Sequence, residues 1–130
     1  MSVPKNRKPT DSEMEILDVL WNKASATVRE VHEELSKHKD AGYTTTLKLM
    51  QIMHEKKLLH RNDNQKTHIY QPAISRESVQ QQSLRSMIAG LFSGSSTGLV
   101  IQALGQQPVS EAELDEIEKY ISSLRNKSNL

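Results

Sequence analysis

The side chains best suited to recognition chemistry sit in two short stretches, Tyr43-Thr-Thr-Thr-Leu-Lys48 and Arg61 to His68. Thr44, Thr45 and Lys48 share one edge if this stretch is helical. Short hydroxyls and a cation in the first turns of a helix are what a major groove can meet, at base edges and at phosphates. Arg61, Lys66 and His68 flank the polar run Asn62-Asp-Asn-Gln, where cations can contact phosphate or enter a minor groove. Taken alone, the first stretch is as readily a solvated helix edge and the second is more commonly a charged surface turn, so the flanking elements must decide.

Other chemistries find less support. His54-Glu55 begins like H-E-x-x-H, but the next histidine is His60, so the two imidazoles would not share a helical face. His32 and His38 are also spaced wrongly, and with no cysteine in the chain no thiolate metal site is possible. Neither a glycine-rich phosphate loop nor G-x-S-x-G is present, and the carboxylates cluster where i,i+4 pairing and solvation account for them. Neither an enzyme nor a metal or cofactor is expected.

The elements that position the two stretches follow from periodicity. Thr10-Asp-Ser-Glu13 is a capping box, with Met14, Leu17 and Trp21 behind it at spacings of three and four, giving a helix from Asp11 to about Asn22. Thr27-Val-Arg-Glu30 is a second box, followed by Val28, Val31 and Leu35 on a helix to about Lys37. A turn at Lys39 to Gly42 leads into a third helix, Tyr43 to Lys57, with Leu47, Leu49, Met50, Ile52 and Met53 as its apolar positions. The period then drops to two. Leu58 to Arg61 and Thr67 to Tyr70 read as strands of a hairpin that Pro72 ends. Three helices and a hairpin make a winged helix, a variant of helix-turn-helix.

Beyond Pro72 the sequence reads as a long helix from Ser75 to about Phe92, then a short one around Leu99 to Leu104 stopped by Gly105 and Pro108. A third capping box, Ser110-Glu-Ala-Glu113, opens a last helix. Its Leu114, Ile117, Ile121 and Leu124 form a single seam. Such helices cannot bury their own stripes, so Leu84, Ile88, Leu91, Leu99, Leu114, Ile117, Ile121 and Leu124 are expected to pair with a second copy. The alternative is that they fold back on the first domain.

Composition sets the frame. The 130 residues have a net charge of +1 and 35% hydrophobic content, with only Trp21, Tyr43, Tyr70, Phe92 and Tyr120 aromatic. The charge is unevenly spread: residues 10–40 hold four basic against eight acidic side chains, whereas 41–72 hold five basic against two acidic. An acidic stretch followed by a basic one hints at a face for a polyanion. The absence of cysteine points to a reducing compartment. No apolar run is long enough to cross a bilayer, and MSVPKNRKP lacks the apolar stretch of a secretory signal.

Residues 10–21 (TDSEMEILDVLW), 26–31 (ATVREV) and 43–48 (YTTTLK) together resemble the penicillinase-repressor family of BlaI/MecI type. The hairpin ending Ile69-Tyr70 and residues 94–100 (GSSTGLV) and 110–117 (SEAELDEI) fit as well. The resemblance implies a homodimeric winged-helix repressor on an inverted-repeat operator, with DNA contacts early on the third helix and on the wing. It departs at Ile52, where the family usually carries arginine, and at Lys57, where it usually carries glycine. In the best-known members of that family, a membrane sensor triggers cleavage of the dimerisation segment at an Asn-Phe bond. The corresponding place here is Gln102-Ala103.

The expected fold is thus mainly α with a small β-hairpin: a disordered basic arm (1–9), a winged helix-turn-helix N-terminal domain (10–73) and a helical C-terminal dimerisation segment (74–130). The expected DNA-binding residues are Thr44, Thr45, Lys48, Arg61 and Lys66. The expected partners are double-stranded DNA, a second copy and a regulatory protease, in the cytoplasm and without membrane insertion. β-Lactamase or stress-response genes are the implied targets. The competing reading is a winged-helix protein-interaction adaptor that does not bind DNA.

Overall fold

In the computed structural model, residues 8–128 are described, so most of the expected N-terminal arm (1–9) lies outside them. The elements in order are α1 (Asp11–Lys23), α2 (Val28–Ser36), α3 (Tyr43–Glu55), β1 (Leu59–Asn62), β2 (Ile69–Pro72), α4 (Arg76–Gly90), α5 (Ser96–Gln106) and α6 (Glu111–Ser128). All three capping boxes form. The Thr10, Thr27 and Ser110 hydroxyls accept from the backbone N–H of Glu13, Glu30 and Glu113, and each glutamate accepts the cap residue's own N–H at 2.9–3.0 Å. These reciprocal bonds satisfy N–H groups that a helix start otherwise leaves to water.

The chain divides into two compact units between Arg85 and Ser86, inside α4. This is later than the 73/74 boundary read from Pro72. The reason is packing that follows the hairpin. The Trp21 indole N–H donates to the Ile74 carbonyl at 3.0 Å, Arg76 lies over the Trp21 ring and pairs with Asp18 at 2.9 Å, and Val79 is buried.

The first unit is a winged helix. Ile16, Leu17 and Leu20 of α1, Val28, Val31 and Leu35 of α2, Met50 and Met53 of α3, and Leu58, Leu59 and Tyr70 form one core. On α3 the buried stripe is Thr46, Met50 and Met53. Leu47 lies beside it, half-buried. A threonine fits there because its hydroxyl donates to the Gly42 carbonyl at 3.2 Å, so no polar group is stranded. The strands pair antiparallel with Arg61 opposite Tyr70. Both fall one to two residues later than expected, and Pro72 is the last residue of β2, paired with Leu59. The outer edge of β2 exchanges two backbone hydrogen bonds with Ala26, at 2.8 and 3.0 Å, fastening the wing to the α1–α2 connection.

The second unit contains the end of α4, then α5 and α6. α4 closes through Ser93 and Gly94, both at positive φ, with the Gly94 N–H donating to the Ile88 carbonyl at 2.8 Å. No residue of α5 or α6 is buried.

Candidate nucleic-acid interface

α3 turns Thr46, Met50 and Met53 inward, which leaves Thr44, Thr45, Lys48 and Gln51 facing solvent along its outer edge. The helix starts at Gly42, which offers no side-chain cap, so its first N–H groups remain free for an acceptor. The two threonines and Lys48 are therefore together on one exposed edge. Lys66 lies in the exposed connection between β1 and β2.

The cations sort by whether a carboxylate already holds them. Lys23 and Lys37 pair with Glu34, Lys39 with Glu15, Lys56 with Glu13, Arg61 with Asp63 and Arg76 with Asp18. Lys48 and Lys66 have no ion-pair partner among the described residues. An unpaired cation can approach a phosphate without giving up an existing partner, so Lys48 and Lys66 are better placed than Arg61. The Arg61 guanidinium is held at 2.7 Å by Asp63 and is raised in pKa by hydrogen bonding with the Tyr70 side chain and then by Asp63. His68 faces the same Asp63 oxygen at 3.7 Å, and His54 packs its ring edge on Tyr70.

A cluster that the sequence reading missed sits at the start of α3. Tyr43 is met by Arg29 and His32 of α2, each 5.6 Å from its ring centroid. The available signal was the three-residue spacing of Arg29 and His32, which puts them on one face of α2. Nothing in the sequence says that the Lys39–Gly42 turn brings Tyr43 against that face.

The sequence matches the family model for the penicillinase repressor over residues 9–123. The chain belongs to the penicillinase repressor family. It is 18% identical to the Staphylococcus aureus penicillinase repressor over 116 residues, covering 89% of this chain and 92% of that one. It is 20% identical to the methicillin resistance regulatory protein MecI of Staphylococcus aureus (strain N315) over 118 residues, covering 91% and 96%. With the transcriptional regulator BlaI of Mycobacterium tuberculosis (strain CDC 1551 / Oshkosh) identity is 34% over 70 residues, covering 53% of this chain and 51% of that one. For a penicillinase repressor, Lys57 is the notable residue. It occupies the turn after α3 at φ 68°, the left-handed region that favours glycine. Ile52 is half-buried on α3.

Proposed function

We propose that this chain is a sequence-specific DNA-binding transcriptional repressor that acts in the cytoplasm as a homodimer on an inverted-repeat operator. The observation that carries the reading is the edge of α3, where Thr44, Thr45 and Lys48 face solvent with Lys48 unpaired, on a fold whose second unit leaves its apolar side chains uncovered. α3 enters the major groove. Its threonines and Lys48 meet base edges and phosphates, and Lys66 on the wing meets the adjoining backbone. One such unit binds weakly and through salt-sensitive phosphate contacts. Pairing through the second unit makes the other half-site's contact intramolecular, which raises avidity by roughly 10²–10⁴. Occupying the operator excludes polymerase from the promoter. β-Lactamase or stress-response genes are the targets this reading suggests.

Release follows from anything that separates the two copies. A regulatory protease is one such partner, and its bond, Gln102–Ala103, lies within α5. Cleavage there requires α5 to unwind first, because a helical backbone has its hydrogen bonds closed within the segment.

Ile121→Glu provides the test. Ile121 is exposed in the single chain, so the substitution leaves each copy folded while placing a charge in the paired seam. Sedimentation should show a monomer, and gel shift on an inverted-repeat duplex selected for binding to the wild-type chain should show affinity falling by roughly 10²-fold or more. Unchanged operator affinity with a monomeric variant overturns the dimer reading. No salt-dependent retention of the wild-type chain on DNA overturns the repressor reading and leaves a protein-interaction adaptor.

A further inference from the structure

Arg29 is a cation for which the reading above finds no use. It lies in the first turn of α2, exposed, and pairs with no carboxylate among the described residues. Its two acidic neighbours do not claim it. Glu30 is occupied by the Thr27 N–H at 2.9 Å, and Glu33, four residues on, makes no ion pair with it.

What holds Arg29 is an aromatic ring. Its guanidinium carbon lies 5.6 Å from the centroid of Tyr43, the first residue of α3. The same ring is met edge-on by His32, one turn along α2, at 5.6 Å and 83°. Tyr43 is thus gripped by two α2 side chains yet remains 40% exposed, directly before Thr44 and Thr45.

An exposed arginine without a partner normally spreads over many rotamers. A cation–π contact with a ring narrows that spread, and the guanidinium donates to no acceptor among the described residues, so its N–H groups stay available. A pre-oriented, unpaired guanidinium beside a helix edge that meets DNA is suited to bidentate contact with a phosphate.

We propose that Arg29, held against Tyr43, is a clamp for a backbone phosphate of double-stranded DNA, at the flank of the groove that α3 enters. This rests on the DNA-binding reading and extends the contact surface from α3 and the wing to α2. The contact is blind to sequence, so it adds affinity and sets register without choosing bases.

The test is a salt titration of binding by the full chain to a mixed-sequence DNA duplex and to an inverted-repeat duplex selected for binding to the wild-type chain. Arg29→Gln should weaken binding to both by a similar factor, about tenfold, and flatten the slope of log affinity against log salt by about 0.9 for each protomer engaged. Arg29→Lys should restore the slope but not the full affinity, because an ammonium keeps the charge but loses the planar guanidinium that meets the ring and can fork onto a phosphate. Lys37→Ala, at the other end of α2 and already paired with Glu34, should change neither. A slope for Arg29→Gln equal to that of the wild type overturns the clamp, as does loss of thermal stability with binding unchanged. Full affinity for Arg29→Lys removes the role of the ring. If the wild type shows no salt-dependent binding at all, the failure lies with the DNA-binding reading itself.

Discussion

The two units of the chain solve the problem of apolar surface in opposite ways. The winged helix closes a core inside one chain: Ile16, Leu17, Leu20, Met50, Met53 and Leu58 are wholly removed from solvent. The second unit does not. Leu91 is 79% exposed, Ile101 and Tyr120 65% each, and no residue of α5 or α6 is buried. The sequence between Ser86 and Ser110 also contains no charged residue, in a chain that is 25% charged overall. Solvent-facing helices ordinarily carry charge, so uncharged helices with exposed leucines fit the proposed interface between copies. The first unit is a finished module, and the second leaves its apolar side chains uncovered, as the proposed pairing requires.

The largest effect that could break this comparison comes from truncating matched side chains in the two units. Met53→Ala removes a fully buried side chain and should destabilise the first unit by about 2–5 kcal/mol in denaturant unfolding. Leu91→Ala should cost less than about 0.5 kcal/mol at concentrations where the chain is monomeric, while weakening dimerisation measured by sedimentation. Equal losses from both under monomeric conditions would mean that the second unit has an internal core after all.

Next in size is a buried carboxylate that belongs to the first unit alone. The Glu13 side chain is 3% exposed. It caps α1 through the Thr10 N–H and reaches Lys56 at 2.8 Å, so it joins the start of α1 to the end of α3. Burial pushes its pKa up, but the Lys56 and Thr10 hydrogen bonds outweigh that and hold it below the usual carboxylate value. A carboxylate depressed in the folded state stabilises fully above its unfolded pKa, and that stability is lost as pH falls through the folded value. Acid unfolding of the first unit should therefore steepen below about pH 4.5. Glu13→Gln keeps the cap and loses the charge, and should cost about 2 kcal/mol at pH 7 with a flatter acid limb. An unchanged acid limb would assign the transition to other carboxylates.

These two predictions also mark what the sequence could and could not reveal. The helices, their three capping boxes and the hairpin were legible because each is specified by residues close in the chain. The exposed edge Thr44, Thr45 and Lys48 was legible for the same reason. Burial of Glu13 was not, because its partner Lys56 is distant in sequence. Nor was the place of Thr46 in the core, where Leu47 is the apolar choice but the turn from Gly42 sets the helix phase. The expected unit boundary at Pro72 ignored Trp21, Ile74 and Arg76, whose contacts carry the first unit into α4. At the interface, Arg61 looks from composition like a free cation, and only the side-chain geometry shows that Asp63 already holds it.

A smaller effect is expected at the turn after α3. Lys57 adopts φ 68° without glycine's freedom, a conformation that costs an ordinary L-residue roughly 1 kcal/mol. Lys57→Gly should raise the stability of the first unit by somewhat less than that, since glycine also gains entropy in the unfolded chain. The dimerisation constant should not move. A shift in dimerisation would show that strain in the first unit is felt by the second, and the two would no longer count as separate modules.

The smallest expected change concerns the wing, and it is a change in binding. Asp63 holds Arg61 and faces His68, so the wing carries its own anion where a phosphate could otherwise sit. Asp63→Asn should leave the thermal midpoint nearly in place, because a pair whose carboxylate is half exposed contributes little in water. It should steepen the salt dependence of DNA binding by about 0.9 for each protomer, as Arg61 becomes available to the backbone. If the slope stays fixed while affinity falls, Arg61 acts only as a brace for the hairpin, and the wing meets DNA through Lys66 without it.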